Sequence, residues 1–155
     1  MKIDSFKIDA KDNSINAGAS FGYVEVSNGL INYEDKEIQT FVLAHEVAHI
    51  VTLKQANIFN LEGAIPKGTI TNDYKKSEFL ADLIAFHFIN LQENKTSKAL
   101  ANKLATLETL LGSETFTHPS GKNRIKQLTT YLENCKIENN EKVFKEMFLQ
   151  IWQLE

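Results

Sequence analysis

His45-Glu46-Val47-Ala48-His49 constrains this chain more than any other five residues in it. Around it, Ile38, Phe41, Val42, Ala44, His45, Ala48, His49 and Val51 or Thr52 recur at helical spacing, which predicts a mostly buried helix from about Glu34. Four residues of helix advance about 400°, so His45 and His49 stack on one face. Two imidazoles placed this way can reach one metal ion at about 2.0–2.1 Å. Glu46 faces the edge of the same site, where it can take a proton from a water. The spacing predicts three protein ligands around zinc and one open position for water, and it points to peptide hydrolysis. The competing reading is two half-buried histidines on an apolar helix.

Two histidines leave a zinc ion short of a third protein ligand, and the next helical stretch, about Lys76 to Leu91, offers one. Glu78-Phe79-Leu80-Ala81-Asp82 sets two carboxylates four apart, on one face of an otherwise apolar helix. Buried carboxylates are costly unless paired or bound to metal. Glu78 is therefore the expected third ligand, and Asp82 the acceptor that fixes a ligand histidine's ring and tautomer. The alternative is that both face water. His87, nine residues past Glu78, falls about 180° round the helix and is expected to be a structural or surface histidine. A third signal is Thr117-His118-Pro119 followed by Arg124-Ile125. The chain has sixteen lysines and one arginine, and a solitary arginine hints that a planar, multi-donor cation is required there.

The rest of the chain predicts a small sheet and more helix. Residues 2–9 alternate apolar and polar, Asn13 to Ser20 reads as a loop or irregular edge strand, and Phe21 to Ser27 is the best strand, ending at a turn pair, Asn28-Gly29. Residues 55–75 read as a long connection. Further helices are expected at about Ser97–Leu111, stopped by Gly112, at Arg124–Asn134 and at Glu141–Leu154. The last carries a wide apolar stripe, read as core packing.

A length of 155 residues fits one domain, 1–155, of which 116–155 is a C-terminal helical part. The net charge of −3, with no basic block, argues against a nucleic-acid or anionic-membrane surface. One cysteine, Cys135, excludes an internal disulfide and a multi-cysteine zinc cluster. No stretch reaches the apolar length of a membrane span, and residues 1–10 lack the apolar core of a signal peptide, so a cytoplasmic location is expected.

Four segments together resemble the gluzincin metallopeptidases, specifically the M48 group. Asn16-Ala17-Gly18-Ala19 leading into Gly22-Tyr23-Val24-Glu25-Val26 looks like that family's edge segment and strand. Leu43 to His49 looks like its zinc helix, Glu78 with Ala81-Asp82 like its Glu-x-x-Ala-Asp helix, and Thr117-His118-Pro119 with Arg124-Ile125 like its Thr-His-Pro…Arg-Ile segment. The resemblance implies an α+β, mainly helical fold of the zincin type, its small N-terminal sheet packed on the zinc-binding helix. It implies one zinc ion held by His45, His49 and Glu78, with Glu46 as general base and Asp82 behind a zinc-bound histidine. His118 would donate to the oxyanion, Arg124 would support that corner, and Asn16 with its edge would hold substrate backbone.

Typical members carry transmembrane helices and this sequence has none, which brings it close to the minimal soluble members called minigluzincins. The zinc and glutamate helices also resemble the ImmA/IrrE-type regulatory proteases. The expected activity is zinc-dependent endopeptidase cleavage of a peptide or protein. The rivals are a protease with a single regulatory target and a latent or catalytically silent binding module of the same fold. The oligomeric state is not legible.

Overall fold

The computed structural model describes residues 5–20, 22–92 and 94–155. Ile3 of the N-terminal alternation and Phe21 of the second strand lie outside the described residues. Strand β3 (Tyr23–Ser27) sits in the middle of a three-stranded sheet, with β1 (Ser5–Asp9) parallel on one side and β2 (Ala17–Ser20) antiparallel on the other. The register sets Phe6 beside Val24 and Ala17 beside Val26. Val24 and Val26 are buried on the face that meets helix α2, while Phe6 and Ile8 of β1 are 57% and 66% exposed. The N-terminal alternation thus makes a strand, but one whose apolar residues face solvent.

Asn28-Gly29, expected as a turn pair, opens a short helix, α1 (Asn28–Ile31). Ser27 caps it by accepting from the Leu30 amide at 3.0 Å, and the same hydroxyl donates to the Ser14 carbonyl at 2.7 Å. The Gly29 amide donates to the Asp12 carbonyl at 3.1 Å. A Cβ at Gly29 would fall 2.1 Å from the Ser14 carbonyl oxygen, so this close approach of the loop before β2 requires glycine.

Helix α2 (Lys36–Ile58) begins at the cap Asp35 and outruns the sequence expectation by about two turns. Ala56 is buried one turn beyond Thr52, which carries the apolar face onward. The helix then ends with Asn60 at φ 61°, Leu61 N–H donating to the Ala56 carbonyl and Asn60 N–H to that of Asn57. That paired closure satisfies the last carbonyls and places asparagine in the left-handed position. Helix α3 (Asp73–Gln92) packs across α2.

The expected third helix is two, α4 (Asn94–Ala101) and α5 (Leu104–Leu111), broken at Asn102-Lys103 with no glycine or proline to mark it. Lys103 ion-pairs with Asp35 and Glu37 at 2.8 Å each, which ties the break to the start of α2. Helix α6 (Gly121–Cys135) starts three residues earlier than expected, capped by Ser120, and α7 (Asn140–Trp152) follows.

The main core gathers Ile38 and Phe41 of α2, Leu80, Leu83 and Phe86 of α3, and Leu128 and Tyr131 of α6. The stripe of α7 is core, as expected, since Val143, Phe144, Met147, Phe148, Ile151 and Trp152 are all buried. Lys76, 1% exposed, donates its Nζ to the Trp152 carbonyl at the end of that helix. His87 is structural. Its Nδ1 lies 2.7 Å from the Tyr131 hydroxyl, and its ring stacks on Phe144 with centroids 4.1 Å apart. Among the described residues no helix is long and apolar enough to cross a membrane.

Candidate metal centre

On α2, His45 and His49 turn the same way, and their Nε2 atoms lie 3.0 Å apart. Glu78 arrives from α3, with one carboxylate oxygen 3.4 Å from His45 Nε2 and the other 3.2 Å from His49 Nε2. These three residues could hold a metal ion, their ligand atoms all lying within 4.8 Å of one another. Tetrahedral zinc with ligands at about 2.0–2.1 Å separates neighbouring ligand atoms by about 3.3–3.4 Å, so the two imidazoles and the Glu78 carboxylate are close enough together to share one such ion. The donor set of two imidazoles and a carboxylate also suits zinc.

The other ring nitrogens are held from behind. His45 Nδ1 lies 2.9 Å from Asp82 Oδ1, and His49 Nδ1 lies 3.2 Å from Ser77 Oγ. A proton on His45 Nδ1 shared with Asp82 leaves the Nε2 lone pair aimed at the cluster. Asp82 is fully buried and is gripped by Arg124, whose Nε and Nη2 donate to its two oxygens at 2.6 and 2.7 Å. The same guanidinium reaches Glu78 with Nη1 at 3.2 Å. Arg124, 4% exposed, therefore lies beneath the cluster, tying Glu78 and Asp82 of α3 to α6.

These contacts set the charge of the site. Burial works against the His45 imidazolium, but the Asp82 hydrogen bond and charge, with Glu78 behind them, reverse it and push the metal-free group up to about 9. Burial would raise Glu78; its hydrogen bonds to His45 and His49 and the charge of Arg124 more than offset this and hold it well below the usual carboxylate range. Asp82 is likewise raised by burial and lowered further by Arg124, to a net depression. Without metal, the two ionised carboxylates are balanced by Arg124 and the His45 imidazolium, so a cation bound here would take the place of the His45 proton.

A cavity of about 680 Å³ opens over the cluster. Glu46 lines it beside the two histidines, and Asn16 to Ala19 form one wall. Strand β2 pairs only with β3 among the described residues, so its outer edge is free along this cavity. Asn16 itself is exposed, its side chain donating to Asp12 at 3.3 Å and its backbone fixed to Ser27. Opposite, Leu107, Leu110 and Leu111 of α5 make an apolar wall. His118 is on the rim, its Nδ1 2.8 Å from Thr117 Oγ1 and its Nε2 3.7 Å from Glu78. No residue of α7 lines the cavity.

The model of peptidase family M48 matches residues 2–61. Over that stretch the chain is M48-like. No curated protein and no solved structure matches. The M48-like stretch supplies the sheet and α2, hence Asn16, His45, Glu46 and His49. Glu78, Asp82, His118 and Arg124 lie beyond it, and the fold alone brings them to the same place. Sequence reasoning missed Ser77 and the α5 leucines. Ser77 precedes Glu78 and carries no signal of its own, and the leucines are ordinary apolar positions of a stretch expected only to be helical.

Proposed function

We propose that the protein is a zinc-dependent metalloendopeptidase acting on an extended peptide. The observation that carries this is the convergence of His45, His49 and Glu78 where one metal ion could be held, with Glu46 lining the same open cavity beside a free strand edge. Bound zinc would polarise the scissile carbonyl and ease deprotonation of the attacking water. Glu46 takes that proton and passes it to the leaving amine. His118 Nε2, pointing towards the cluster from the rim, donates to the oxygen that gains charge, a contact worth about 2.7–4 kcal/mol in other oxyanion sites. Arg124 and Asp82 hold Glu78 and His45 in place. The outer edge of β2 binds substrate backbone as an added strand, with Asn16 at its head.

The test is a proteome-derived peptide library read by mass spectrometry, with zinc-loaded wild type beside Glu46→Gln. The variant should keep zinc and lose cleavage. Retained cleavage by Glu46→Gln would sink the mechanism. Cleavage by neither, with zinc bound by both, would favour the single-target or silent readings.

A further inference from the structure

A second cavity, of about 300 Å³, adjoins the metal-side cleft and shares His49, Tyr74 and Ser77 with it. Thr52 and Leu53 from α2 and Ala64 and Ile65 from the 59–72 connection line its outer part. Tyr74 adds an aromatic wall, supported by Phe116 at 6.1 Å between centroids. Apart from His49, the only ionisable side chains lining it among the described residues are Tyr74 and Asp73.

Asp73 is half-buried and, among the described residues, its carboxylate has no ion pair or side-chain hydrogen bond. Its neighbours are engaged. Asn72 caps α3 by accepting from the Lys75 amide at 2.9 Å and donates to the Phe116 carbonyl at 2.8 Å, while Lys75 ion-pairs with Glu114. A negative charge in the first turn complements the helix dipole, but capping is already done by Asn72. What remains is an unpaired carboxylate beside an apolar slot, which matches a long side chain with a cationic end.

Resting on the peptidase reading above, we propose that this cavity is a subsite for a lysine or arginine of the substrate, at a fixed position near the cleaved bond. The aliphatic stem lies along Leu53 and Ile65, and the charged end meets Asp73 beside the Tyr74 ring. Selectivity then comes from a partner that an uncharged side chain of the same shape leaves unused.

A binding measurement needs no turnover. Zinc-loaded Glu46→Gln protein is titrated with fluorescent acetyl-Ala-Ala-Lys-Ala-Ala-amide and with its norleucine analogue, each also against Glu46→Gln/Asp73→Asn. The lysine peptide should bind about tenfold tighter than the norleucine peptide, less so at high salt, and the difference should vanish with Asp73→Asn while zinc content and melting temperature hold. Equal binding of the two peptides, binding of neither, or a preference that survives Asp73→Asn overturns the subsite. The library separates the two ideas. Cleavage without enrichment of basic residues at any one position defeats the subsite and leaves the peptidase. Lysine-selective binding without wild-type cleavage defeats the broad peptidase and leaves the subsite.

Discussion

Arg124, the one arginine among sixteen lysines, forks onto both oxygens of Asp82 and reaches Glu78 as well. A lysine is a single point charge and cannot make that planar grip. Arg124→Lys should therefore weaken zinc binding by about 10–100-fold, the usual cost of losing a group behind a metal ligand, read by competition with a chelating dye. Arg124→Ala goes further and strands Asp82 as a buried charge. In chelator it should cost about 3–5 kcal/mol in urea unfolding. Lost cleavage at unchanged zinc affinity in Arg124→Lys would instead make Arg124 a group that meets substrate. The His45, Glu46 and His49 cluster was legible because its spacing lies within one helix. The grip of Arg124 on Asp82 spans 42 residues; the odd composition and the family resemblance singled out Arg124 but not this contact.

Among the elements, α5 and α6 are set by a contact that no helical periodicity could reveal. The Gly121 amide donates to the Gly112 carbonyl at 2.8 Å, and a Cβ on Gly121 would fall 2.2 Å from the Glu108 carbonyl oxygen. Both groups are backbone, so α6 must retreat to admit a side chain, and Arg124 sits one turn further along it. Gly121→Ala should destabilise the fold by about 1–3 kcal/mol, as overpacking does, and should loosen zinc binding with it. A Lys122→Ala control at an exposed position should do neither. The unmarked break between α4 and α5 belongs to the same class. Leu100 and Leu107 are both fully buried on either side of it, and the turn aims Leu110 and Leu111 at the cavity.

For the molecule as a whole, His87 makes stability depend on mild acid. Burial against Tyr131 and Phe144 lowers its pKa below 6.5, only partly opposed by Glu141 at 3.9 Å. Above pH 6.5 the ring is neutral in both folded and unfolded chains, so it adds no slope. As pH falls through 6.5 the unfolded chain takes up the proton first, and the fold loses stability until pH reaches the lowered value. Urea midpoints measured from pH 7 to pH 5 should therefore fall less steeply in His87→Gln than in wild type; parallel slopes would count against this role. The buried carboxylates Glu78 and Asp82 act in a separate window, with stability lost only as pH drops below the ordinary carboxylate range. Zinc at a hundredfold excess over its Kd should add about 2.7 kcal/mol to the wild-type fold, and chelation should remove it.

The sequence by itself determined the helix with its two histidines and acid, the carboxylate pair on the next helix, the sheet strand and the apolar stripe of α7. Each is a local pattern, written in periodicity within one element. Only the tertiary structure decided that Glu78 closes on His45 and His49, that Arg124 lies beneath them, and that β2 leaves an edge open to the cleft. It also decided that Asp73 lines a pocket beside them. Those facts depend on how α2, α3, α6 and the sheet pack, and packing joins residues whose spacing along the chain carries no record of the contact.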